Sequence, residues 1–149
     1  MNSRRLVAVA VLAVLGALLL ALPASAAPLA HLETKLTGEK EVPGPGDPNG
    51  IGKANVKVFK AKVCYTLTVK RIAPATAAHI HKAPRGKAGP VVVTLFERPN
   101  NPVERRISGC VNIDPGLAEN LRKHPGQYYV NVHNRPFPAG AIRGQLERA

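Results

Sequence analysis

The sequence predicts an all-β fold, an antiparallel sandwich or barrel interrupted by one short helix. Three observations carry this expectation. Apolar residues recur with a period of two, long 3.6-residue apolar patterns are missing, and clusters of Gly, Pro and Asn cut the chain into pieces of strand length. The candidate strands are His31 to Thr37, Gly52 to Phe59, Lys62 to Arg71, Ala77 to Lys82, Pro90 to Phe96, Arg105 to Ile113, Gln127 to His133 and Ala141 to Glu147. Between the first two, Glu41 to Gly50 is too rich in Pro and Gly for regular structure and is expected to be an exposed connection. The third strand turns Val63, Tyr65, Leu67 and Val69 to one side. The fourth carries His79-Ile80-His81 and runs into the Lys82 to Gly89 loop, where Arg85 and Lys87 are expected to overhang the histidines. Arg98 to Val103, with two Pro and two Asn, is expected to be a simple hairpin tip between the fifth and sixth strands.

The helix follows the sixth strand. Asp114 can accept hydrogen bonds from the first free backbone amides, Pro115 suits the first helical position, and Pro125-Gly126 ends a segment running from Pro115 to about Lys123. In the seventh strand Tyr128, Val130 and Val132 form the apolar side, and Tyr129, Asn131 and His133 the other.

The first 26 residues carry an address rather than a fold. Arg4 and Arg5 precede an uncharged apolar stretch from Leu6 to Leu22, and Pro23-Ala24-Ser25-Ala26 ends in the small-x-small pattern of a signal peptidase site. This predicts a signal peptide over residues 1–26, a mature chain from Ala27, and no stable membrane anchor after cleavage. The product is expected to be secreted, extracellular or periplasmic according to the cell envelope. Ser3-Arg4-Arg5 is compatible with either general or twin-arginine export.

The mature chain has the length of one domain with one core. Setting aside Arg4 and Arg5 leaves 19 basic against 9 acidic side chains, a formal charge of +10. No acid occurs between Asp47 and Glu97. Such a surface suits an anionic or extracellular protein partner as well as simple solubility. Nucleic acid fits poorly as a partner, and none is expected, because the chain has no Trp and no basic stripe interleaved with aromatics for base stacking.

Cys64 and Cys110 are the only cysteines, an even count in a chain expected to be exported, which predicts one disulfide. Both alternate with apolar neighbours and fall on the less apolar faces of their strands. Closing that 46-residue loop removes roughly 4 kcal/mol of denatured-state entropy.

The histidines carry the chemistry. Alternate residues of a strand face the same way about 7 Å apart, so His79 and His81 form half of a metal site. His133 has the matching phase and is the natural third ligand. Three imidazoles with an open position suit copper or zinc, and copper is the stronger binder of all-nitrogen sets. His31 and His124 have no spacing that implicates them. There is no Gly-x-Ser-x-Gly elbow, no phosphate-cradling glycine loop and no His-Glu-x-x-His, so hydrolytic chemistry has no support and no catalytic residue is assigned.

With these residues assembled, the chain resembles the CHRD (chordin-type) domain family, in its bacterial exported branch. The resemblance rests on Leu36-Thr37-Gly38 through Glu41-Val42-Pro43, Ala75 to His81, Gly89-Pro90-Val91-Val92, Tyr128 to His133 and Pro138 to Leu146. It implies a CHRD domain over residues 29–149 with an immunoglobulin-like β-sandwich and no general enzymatic activity. A more distant similarity is to copper/zinc superoxide dismutases, through the His-x-His strand, a later Val-His strand and the segment Gly140 to Arg143. That similarity implies copper ligation by His79, His81 and His133, with Arg143 guiding an anion to the open position. The chain lacks counterparts of the bridging histidine and the zinc loop, which limits the implied site to one metal. The leading expectation is a binding protein holding one copper ion. The alternatives are an extracellular interaction or adhesion module without metal, and a copper-dependent dismutase-like enzyme.

Overall fold

The computed structural model describes residues 26–149. The expected signal peptide lies outside the described residues except for Ala26. Among the described residues no helix is long and apolar enough to cross a membrane.

Among the described residues there are nine strands and one α-helix: β1 Ala30–Thr37, β2 Ile51–Phe59, β3 Lys62–Lys70, β4 Ala75–Lys82, β5 Val91–Glu97, β6 Arg106–Asn112, α1 Pro115–Lys123, β7 Tyr128–Asn134, β8 Ile142–Gln145 and β9 Glu147–Arg148. All pairings are antiparallel, in the order β5-β4-β7-β8-β1-β2-β3-β6, with β9 on β1. The sheet curls until its two edges approach. The Tyr65 hydroxyl of β3 crosses the interior to donate to the Leu95 carbonyl of β5 at 2.7 Å. The expected all-β sandwich or barrel with one short helix is therefore the observed class.

Period-two alternation places Leu32, Leu36, Val56, Val58, Val63, Leu67, Ile80, Val130, Val132 and Ile142 in one core. Asp114 Oδ1 accepts from the amides of Gly116 at 2.8 Å and Leu117 at 3.1 Å, and α1 closes one end of the core with Ala118 and Leu121. Cys64 and Cys110 are direct cross-strand partners on β3 and β6, joined by an S–S bond of 2.10 Å. The bridge fastens the edge strand β6 to its neighbour.

Two loop expectations need correction. Arg98 to Val103 is not a hairpin tip, because β5 and β6 lie at opposite edges of the sheet. The segment crosses from one edge to the other, and Val103 exchanges both backbone hydrogen bonds with Ala75 on the way. Glu41 to Gly50 is not simply exposed either. Glu41, Gly46 and Gly50 are buried, and the Asp47 amide donates to the Ala141 carbonyl at 2.8 Å, so this loop lies on the start of β8.

That packing changes the meaning of the polar alternation. Across β4, β7 and β8 the register aligns His81, Tyr129 and Gln145 in one row and His79, Asn131 and Arg143 in the next. Tyr129, Asn131, Arg143 and Gln145 are all buried. The face that reads as outward in sequence is a second, polar interior beneath the loops.

Candidate metal centre

Strand register brings the three expected ligands together. His79 and His81 stand on one face of β4, and His133 comes from the adjacent β7 opposite Ala77. The two strands hold the rings in place from below. On the other side of β4, the pairing with β5 shifts between Ala78 and His79 and again between Ile80 and His81, giving β5 extra residues at Leu95 and Val92. Such bulges increase local twist and re-aim side chains.

One ligand-capable atom from each of His79, His81 and His133 falls within 4.8 Å of the others. His79 Nδ1 lies 3.0 Å from His133 Nε2. Backbone carbonyls orient the other two rings. His81 Nδ1 is 2.8 Å from the Gly89 carbonyl, and His133 Nδ1 is 3.0 Å from the Pro138 carbonyl. A carbonyl accepts, so each of these nitrogens carries the ring proton and leaves the lone pair on Nε2. His81 Nε2 is buried and has no hydrogen-bond partner. This is the ring orientation a metal ligand needs, with the second nitrogen anchored on the protein.

At His79 and His133 the electrostatics favour the uncharged ring. Burial, reinforced by the neighbouring His133 and His81, pulls the His79 imidazole down to about 4. Burial also lowers His133, against the opposing effect of the Pro138 carbonyl. Neutral imidazoles offer lone pairs without first losing a proton. The donor set fits a borderline transition metal such as copper or zinc and suits neither calcium nor magnesium, which want oxygen.

Around this cluster the polar layer is closely packed. The Tyr129 ring stacks on His81 with centroids 4.7 Å apart and planes 9° from parallel. On its other face lies the Arg143 guanidinium, 3.4 Å from the ring centroid. Arg143 is 2% exposed, and its Nη2 donates to the Lys87 carbonyl at 2.7 Å. What reaches over the site from the Lys82 to Gly89 loop is thus backbone, the carbonyls of Lys87 and Gly89, while Arg85 stays exposed. Gly89 permits the approach, since a Cβ there would collide with the Lys82 carbonyl.

Two residues of the site carry no assigned role in the sequence. Glu41 is buried beside Arg143 and Asn131, and burial pushes its carboxyl up to about 7 against the opposing charge of Arg143 and a hydrogen bond from Asn131. Asn131 itself stands directly across from His79 with Oδ1 3.0 Å from His133 Nε2. The phase of Asn131 was legible in the alternation of β7. The arrival of Glu41 was not, because a Pro- and Gly-rich loop delivers it from the far end of the chain.

No curated protein and no solved structure matches this chain. The CHRD domain family model matches residues 32–146, from β1 through the end of β8, and includes every residue of the histidine cluster. The chain belongs to the CHRD domain family.

Proposed function

We propose that this CHRD-domain protein is an exported binding protein that holds one copper ion through His79, His81 and His133. The observation that carries the reading is the buried, unpartnered Nε2 of His81, whose ring is anchored through Nδ1 and whose free lone pair joins two other imidazoles. An unsatisfied buried polar atom costs about 1–3 kcal/mol, and a cation at the cluster removes that cost. Copper is preferred over zinc because nitrogen ligands bind it more strongly among divalent first-row metals. Export is supported by the leader pattern of residues 1–26 and by the Cys64–Cys110 disulfide, which suits an oxidising compartment.

Binding is favoured over dismutase-like turnover by the placement of Arg143. Its guanidinium is stacked on Tyr129 and tied to the Lys87 carbonyl beneath a loop. An anion-guiding role requires that loop to move away. In the binding reading Arg143 instead supports the ring that backs His81.

Titration of the mature protein with Cu(II), followed by d-d absorption and electron paramagnetic resonance, tests the assignment. One equivalent with nitrogen hyperfine structure is expected, and its loss in the His79→Ala/His81→Ala/His133→Ala variant. Unchanged copper affinity in that variant rejects the site.

A further inference from the structure

The histidine cluster contains a fourth donor of a different kind. Asn131 is the cross-strand partner of His79 and lies two residues before His133 on the same face of β7. It is 3% exposed, and its Oδ1 is 3.0 Å from His133 Nε2. That nitrogen is also 3.0 Å from His79 Nδ1. His133 gives its ring proton to the Pro138 carbonyl, so Nε2 carries a lone pair. An amide oxygen turned towards a lone pair is repelled unless positive charge lies between them.

A cation removes the conflict. Two donors each about 2.1 Å from one ion and at right angles are separated by about 3.0 Å. Both short separations at His133 Nε2 have this value. The Glu41 carboxyl is a neighbour of Asn131 as well, and a carboxylate takes a hydrogen bond only from the amide nitrogen. The oxygen is left facing the histidines.

We infer that Asn131 is a fourth ligand, contributing its side-chain amide oxygen to the cation held by His79, His81 and His133, with Glu41 as the positioning residue. The inference rests on the metal-binding reading above and deepens it. Three nitrogens and one hard oxygen favour Cu(II) over Cu(I), since oxygen suits the harder ion. Asn131 thereby selects oxidation state as well as holding the metal.

Cu(II) added as a simple salt to the whole mature protein is the probe, with protein carrying 13C at the asparagine side-chain carbonyl. Pulsed electron paramagnetic resonance is expected to detect coupling to histidine nitrogens and to that carbon. Nitrogen coupling without carbon coupling overturns the Asn131 assignment alone. Absence of both overturns the metal site with it. Asn131→Ala is expected to weaken Cu(II) binding about 10–100-fold and change the copper hyperfine splitting. Its Cu(I) affinity should stay within about threefold. Asn131→Asp, which keeps an oxygen donor, should restore Cu(II) binding. Wild-type Cu(II) affinity and hyperfine splitting in folded Asn131→Ala also overturn the proposal. The isotope measurement decides the matter if that variant fails to fold.

Discussion

At the scale of single residues, the polar layer under the loops is held by a few groups with little freedom. Gly140 has φ +148°, and a Cβ added there would fall 2.5 Å from Glu41 Oε2. Gly140→Ala is expected to cost about 1–3 kcal/mol in urea unfolding through backbone strain, with further loss from displacing the Glu41 carboxyl. Glu41 gives a pH signature in metal-free protein. Its folded-state value of about 7 stands above the ordinary 4.5. Its favourable contribution is full below pH 4.5 and is lost as pH rises through 7. His79 runs in the opposite sense, contributing fully above 6.5 and losing that contribution as pH falls towards 4. Glu41→Gln keeps the His79 behaviour and removes that of Glu41. Relative to wild type it should gain up to about 3 kcal/mol between pH 5 and pH 8. Urea titrations of both proteins with chelator present check this, and a constant difference across that range means that Glu41 ionises as an ordinary carboxyl.

At the scale of elements, β4 does two jobs with one alternation. Ala78 and Ile80 enter the apolar core while His79 and His81 face the polar layer, so a one-residue slip would exchange them. The site is accordingly specified by the same register that specifies the core. Helix α1 is set by local chemistry. The Asp114 side chain satisfies two of its first amides, and Arg122 and Lys123 pair with Glu119 on its exposed side. Those surface pairs contribute little. Asp114→Ala is expected to cost about 1 kcal/mol, read as a lower urea midpoint with an unchanged slope. Copper binding should be unaffected, because α1 lies against β2 and β3 rather than the histidine strands.

At the scale of the whole molecule, the sheet is a nearly closed strip whose ends are β5 and β6, and the Cys64–Cys110 bridge secures one of those ends. Cys64→Ser/Cys110→Ser should lose about 2–4 kcal/mol, measured by urea unfolding, and retain the copper spectrum, since β3 and β6 are remote in sheet order from β4 and β7. Loss of that spectrum in the folded double variant means that closure of the strip helps to build the site. The sequence by itself determined the elements, the helix cap, the cysteine pair and the common phase of His79, His81 and His133, because alternation, capping and turn chemistry act over a few residues. Only the tertiary structure decided that the polar face is interior, that Arg98 to Val103 spans two sheet edges, that Glu41 reaches the site, and that Arg143 is stacked on Tyr129 beneath a loop. These depend on long loops folding back over strands far away in the chain, and local alternation records which side a residue faces without recording what covers it.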